Sequence, residues 1–447
     1  MAPQQLLTRG EVGALPPHAG LEIDLGLLPG TLQRLVELHH RYGDIYRLAT
    51  RGAAAETYVV AHPNYAQQVL STHHADYRRL LLDGRMSLVL GNGLLMSEGS
   101  GQKAQRKLLQ RCFHGEASAG LLRYMAGCNA KLLERWRACA RSGESIELTR
   151  DMLDLSLDFN LRAVFSVDAD GGMLDDVGAQ FLHRLTAPVR EDTRSNLLFV
   201  KQAKRARARI AELIARRRVR FDRPFDVLTM LMDARHRDNG DAMSDQQIID
   251  EILSILMAGH ETVATALKSI WYSISRDPAV AQAVHEEVDR VIGSADPSVV
   301  HVGSLQYTKT VIQEALRLYP PIWVISHMAE VASRIGAYHV PAGTIVFVCP
   351  YLVHRHPEFW LEPEIFDPGR FGPEAVVGRH SHAYLPYARG PRSCIGGELS
   401  THEMLLHVAT VARELKVVHV DGAPGDYAAG FALRSQTPIH MRLETRT

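Results

Sequence analysis

No stretch of this chain stays apolar for the roughly 20 residues that a membrane-spanning helix needs. The N-terminus, Met1-Ala2-Pro3-Gln4-Gln5, opens no apolar secretory core either. Charge of neither sign is in excess: 50 basic residues balance 50 acidic ones, so the overall charge offers no footing for nucleic acid. Cysteine is scarce. The five residues Cys112, Cys128, Cys139, Cys349 and Cys394 are odd in number and irregularly spaced. That excludes a disulfide framework and fits a reducing cytoplasm. Internal repeats, low-complexity tracts and long flexible linkers are also missing, which predicts one continuous domain over residues 1–447.

Much of the chemistry present sits in one loop, Tyr387-Ala388-Arg389-Gly390-Pro391-Arg392-Ser393-Cys394-Ile395-Gly396. An apolar, periodic stretch from Ile395 to Leu415 follows and reads as a helix. The Cys394 thiol would then lie at a helix N-terminus, where backbone N–H groups favour a thiolate. A lone thiolate makes neither a zinc knuckle nor an iron–sulfur site, but it can be the axial ligand of a haem iron. A buried structural cysteine in a Gly-rich turn is the alternative.

Ser244-Asp245-Gln246-Gln247 reads as a capping box. It opens an apolar helix that runs to about Arg276, before Asp277-Pro278. Its middle carries Ala258-Gly259-His260-Glu261-Thr262. Gly, an acid and a hydroxyl in succession are costly inside a buried helix unless each has a partner. Taken alone, the run also fits a Gly-induced kink with Thr262 bonding back one turn. Further on, Glu314 and Arg317 lie three apart on one helix and can pair. Phe366-Asp367-Pro368-Gly369-Arg370-Phe371 precedes the Cys loop.

These motifs, in this order, resemble the cytochrome P-450 superfamily, the haem-thiolate monooxygenases, of the soluble bacterial type. The loop matches the family's Phe-x-x-Gly-x-Arg/His-x-Cys-x-Gly, with Tyr387 in the Phe position and Gly390, Arg392, Cys394 and Gly396 in place. The resemblance implies a mainly α fold with small β-sheets, a triangular helical prism around a long central helix. The small β-rich part is expected at roughly 44–62 plus 322–350. It also implies haem b with Cys394 as the iron ligand. Ala258 and Gly259 would let haem and dioxygen approach, and Glu261 and Thr262 would pass protons. Glu314, Arg317 and Arg370 would form a structural triad. Arg392 and Arg106 would meet the haem propionates. Gln102 and His327 stand where the family usually has a ring donor and an Arg. A propionate contact at His327 would raise its pKa.

Substrate contacts are expected from Leu81–Leu95, Leu182–Leu198, Ala258, Val263, Ile322, Val324 and Phe431, mostly apolar positions. The expected reaction is dioxygen-dependent hydroxylation or epoxidation of a mid-sized hydrophobic substrate, in bacterial terpenoid or polyketide biosynthesis. A fatty-acid or xenobiotic hydroxylase, a peroxygenase or isomerase, and a haem sensor are the alternatives. A cytoplasmic monomer is expected, with no membrane anchor. Electrons are expected from a separate ferredoxin or flavodoxin and its reductase, docking on Lys103, Lys107, Arg111 and Arg389. Four other motifs are set aside. His402 and His407 are five apart and cannot share a metal as an i, i+4 pair does. His354-Arg355-His356 reads as a turn, Gly91-Asn92-Gly93 lacks a third glycine, and Lys201–Arg220 reads as a solvated helix face.

Overall fold

The structure, a computed structural model, describes residues 14–23, 30–50, 56–80, 84–166, 193–236, 240–423, 427–435 and 437–446. Most of Leu182–Leu198 lies outside these residues.

Eight of the described helices frame the interior: α1 Thr31–Tyr42, α2 Gly99–Leu109, α3 Gly115–Ser142, α4 Leu148–Phe165, α5 Thr193–Arg218, α6 Asp245–Arg276, α7 Gln306–Leu318 and α8 Gly397–Ala412. Their apolar positions recur at helical spacing, as Leu32, Leu35 and Leu38 do on the buried face of α1. At 32 residues, α6 is the longest. Its start is fixed by Ser244, whose Oγ accepts from the N–H of Gln247 at 3.2 Å. Its end is fixed by Asp277, which instead caps the following helix, accepting from the N–H groups of Ala279 and Val280. Helix α4 packs along α6 across Gly259: a Cβ added there would sit 2.6 Å from Asn160 Oδ1.

Six strands form the main sheet: β1 His18–Ile23, β2 Ile45–Thr50, β3 Thr57–Val60, β4 Tyr77–Arg79, β5 Ile325–Ala329 and β6 Ile345–Val348. They lie in the order β1-β2-β3-β6-β5-β4. β3 and β6 are parallel, while β5 pairs antiparallel with both β6 and β4. The sheet therefore extends beyond the expected 44–62 and 322–350. His18–Ile23 forms its edge. β1 pairs parallel to β2 with a register break, and so few ladder contacts leave little alternation to read. The stretch from Ile395 to Leu415 also ends differently. The helix stops at Ala412, and Leu415 begins a strand, Leu415–Asp421, paired with His440–Thr445.

From His354 the chain winds irregularly to the Cys loop, held by charge. Glu314 takes Arg317 in a bidentate pair at 2.7 and 2.7 Å, both side chains fully buried. The rest of the Arg317 guanidinium donates to the carbonyls of His354, Pro363 and Ile365. Glu314 also accepts from the N–H of Asp367 at 2.9 Å and stands 3.5 Å from Arg370 Nε. Trp360 lies under both Arg317 and Arg379. His354 adds a second tie. Its Nδ1 donates to the Arg317 carbonyl, and its Nε2 accepts from Leu385 N–H at 2.7 Å.

Removing one member leaves the others charged and dry. Glu314→Ala is expected to cost about 3–5 kcal/mol, read as a lower urea midpoint; a midpoint equal to the parent's would contradict the assignment.

Candidate haem site

The Cys394 loop is shaped by its backbone. Gly390 has φ +82°, and a Cβ there would run into the Leu70 carbonyl oxygen, so the position is closed to other residues. Cys394 N–H donates to the Tyr387 carbonyl at 2.9 Å. The Tyr387 ring packs against Gly397, and its hydroxyl shares a 2.8 Å hydrogen bond with Thr401 on α8. Burial pushes the Tyr387 phenol up to about 12. Arg106 on α2 grips the loop from outside, donating to the Ser393 carbonyl at 2.7 Å and to its hydroxyl at 3.1 Å. Arg392 is turned toward the loop before α2, where it contacts the Glu98 carboxylate and the Ser97 carbonyl.

Cys394 is reachable by solvent yet deep enough for burial to govern its thiol, so it lines an internal space. Opposing effects act on this thiol. Burial pushes its pKa up, and the Gly396 N–H, Arg79 and Arg106 only oppose that. Two residues separate Cys394 from the first turn of α8, which begins at Gly397. A bound metal ion supplies the missing positive charge, since a coordinated thiol is deprotonated. A reachable internal thiol, with two guanidiniums near it that would meet carboxylates, is a donor set that fits haem.

On α6 the exposure pattern is informative. The helix is buried almost throughout, yet Ile255, Ala258, Gly259 and Thr262 are half-exposed at helical spacing. Thr262 Oγ1 donates to the Ala258 carbonyl at 2.5 Å, the bonding-back geometry. Glu261 is buried beside this face. At Gly259 the Cβ direction is filled by Asn160 of α4, so this glycine also serves helix packing. Val263 is buried, whereas Ile322, Val324 and Phe431 are partly exposed.

His327 is buried on β5, where burial and Arg79 push its pKa down to about 4. Gln102 is buried on α2. Arg79 was not singled out from the sequence. Only its pairing opposite His327 in the β4–β5 ladder reveals it.

The rejected motifs find structural uses. His407 accepts from Trp271 Nε1 of α6 at 2.9 Å and shares a 2.8 Å hydrogen bond with Asn129 of α3. His402 is only half-buried. His356 Nε2 faces Asp44 at 3.0 Å while its Nδ1 accepts from Glu358 N–H, so Nε2 carries the proton and donates. Gly91 and Gly93 let their loop lie against α6, where Asp250 and Glu251 accept from Asn92 and Leu94 N–H, both at 2.8 Å. The Lys201–Arg220 face is not wholly solvated: Arg207 pairs with Asp250, and Arg217 is buried against Asp226. The five cysteines are all free, and no described helix is long and apolar enough to cross a membrane.

A helical frame around a solvent-reachable thiol with two guanidiniums near it fits a haem-thiolate protein. The family model for Cytochrome P450 matches residues 23–438, and the chain belongs to that family. It is 31% identical over 405 residues to "Cyclooctatin synthase" of Streptomyces melanosporofaciens, covering 85% of this chain and 84% of that protein. It is 28% identical over 431 residues to "Cyclooctat-9-en-7-ol 5-monooxygenase" of the same organism, covering 94% and 92%. The fold matches the crystal structure of the cytochrome P450DA haem domain at a TM-score of 0.88, with 21% identity over 98% of each chain. The protein is thus a haem-dependent monooxygenase whose cofactor is iron protoporphyrin IX bound through cysteine.

His354 and His407 are fully buried, and burial pushes both down to about 3. An unfolded His takes up a proton near 6.5, while the folded ones refuse it. Their stabilising contribution is therefore complete above pH 6.5 and lost as pH falls toward 3, by roughly 1.4 kcal/mol per pH unit for each. Urea midpoints at pH 7 and 5 should differ accordingly. His407→Gln, which keeps an acceptor and a donor, should flatten the slope; an unaltered slope would refute it.

Proposed function

We propose that Cys394 is the axial iron ligand and that the half-exposed face of α6 closes the opposite side of the haem. Arg106, Arg392, Gln102 and Tyr387 hold the loop and the macrocycle edge. The observation that carries this reading is the solvent-reachable yet deeply enclosed thiol of Cys394. When bound, haem supplies the activation of dioxygen. The residues supply the rest. Ala258 leaves room beside the helix. Thr262, held by the Ala258 carbonyl, offers a hydroxyl through which a proton passes from Glu261. Ile322, Val324, Phe431 and the Leu94-Leu95 turn present an apolar wall to substrate.

The substrate we propose is a mid-sized cyclic hydrocarbon or alcohol of the terpenoid class. The apolar lining supports this, as do the relatives named for cyclooctatin and cyclooctat-9-en-7-ol. Cys394→Ser should lose the red-shifted absorption of the reduced carbon monoxide adduct. Thr262→Ala should keep that band and lower product formation about 100-fold, with reduced dioxygen escaping as hydrogen peroxide. Cyclic terpenoid alcohols should gain one oxygen when dioxygen and a ferredoxin–reductase pair are supplied. Turnover with hydrogen peroxide alone, or of fatty acids alone, would overturn this reading.

The electron donor is proposed to be a separate acidic carrier. Lys103, Lys107 and Arg111, on and just after α2, and Arg389, in the Cys loop, are all exposed on the thiol side. Charge reversal at Lys103 and Lys107 should raise the KM for the donor several-fold and leave substrate affinity unchanged. An unchanged donor KM would exclude this surface.

A further inference from the structure

Arg79 and Arg106 stand near the Cys394 sulfur and Arg392 stands near Arg79, and the partners of the three differ. Arg106 donates to Ser393, and Arg392 is held by Glu98 and the Ser97 carbonyl. Arg79 closes β4, and its backbone N–H donates to Glu98 Oε1 at 3.1 Å. Among the described residues, its guanidinium meets no carboxylate. It is half-exposed to solvent, yet enclosed deeply enough that burial, with Arg392 nearby, lowers its pKa to about 10. Like Cys394, it lines an internal space. A guanidinium so placed requires an anion, and leaving it unpaired would be costly.

Its neighbour across the ladder explains the placement. Arg79 pairs with His327 at the edge of the sheet. The imidazole is buried, its Nδ1 has no hydrogen-bond partner among the described residues, and Arg79 disfavours a second positive charge there. Arg79 keeps its charge, as a guanidinium does, and the buried imidazole beside it is held neutral.

We propose that Arg79, on the neighbouring strand, is the cation that pairs with a haem propionate, and that His327 is its neutral neighbour. The inference rests on haem occupying the space beside Cys394. The charge that resemblance placed on β5 has moved one strand outward to β4. A planar guanidinium can hold a carboxylate through two parallel N–H donors, while a neutral imidazole offers one.

The test is the rate at which the ferric holoenzyme loses protoporphyrin IX to excess apomyoglobin, followed by absorbance. Arg79→Leu should lose haem about 10- to 100-fold faster than the parent. Arg79→Lys should recover part of that retention, and His327→Gln should stay within about twofold of the parent. Circular dichroism controls for folding. If Arg79→Leu does not accumulate as folded protein, Arg79→Gln takes its place in the comparison with Arg79→Lys. The inference is overturned if the neutral Arg79 variants retain haem as the parent does, or if His327→Gln loses it as fast as they do. The carbon monoxide band separates the two ideas. Its absence in the parent would remove the Cys394 reading, whereas its persistence in the haem that Arg79→Leu retains would show thiolate ligation intact while the propionate contact is lost.

Discussion

A carboxylate and a guanidinium, both cut off from water, set the geometry on which the rest depends. Glu314 and Arg317 are fully buried and bidentate. Charges so placed are tolerated only because every remaining donor finds a carbonyl. Those carbonyls belong to the winding segment between β6 and the Cys loop. The pair therefore converts a stretch with little regular structure of its own into a fixed path. His354 carries the same constraint forward to Leu385, two residues before Tyr387, whose carbonyl receives the Cys394 N–H. Position at the sulfur is thus inherited from a salt bridge far away in the chain.

Much of this was legible in the sequence because the relevant signals are local. Ser244 and Asp277 mark the ends of α6 by capping chemistry, and Glu314 and Arg317 meet by helical spacing. Gly390 announces a backbone conformation that few other residues adopt. What stayed hidden depends on partners distant in sequence. Nothing around Gly259 reveals that Asn160 comes to fill its missing side chain. Arg79 is one of many arginines until β4 is laid against β5. Arg207 and Arg217 read as solvated because periodicity reports which face they share, and the acids that draw them inward lie on other elements. At the thiol, two opposing effects differ in how far they can be read. Helix-end electrostatics can be read from the chain, whereas the depth of burial that outweighs them exists only in the fold.

Helix α6 shows how one element serves several demands. Its N-terminal half ties down the Gly91–Gly93 loop through Asp250 and Glu251, and burial pushes the Glu251 carboxyl up to about 7. Its middle gives up side-chain bulk on two faces at once, toward α4 at Gly259 and toward the internal space at Ala258. Small residues there answer packing as well as chemistry, so neither demand alone explains them.

The bond between Trp271 and His407 also decides how much headroom the site has. Trp271 lies on the same helix as Thr262, and His407 on the helix that follows Cys394. The floor and the ceiling are riveted to each other by a neutral contact, braced from a third side by Asn129. Changes in the surrounding apolar walls can then widen or narrow the footprint available to a guest. The spacing of the two helices is held at this contact.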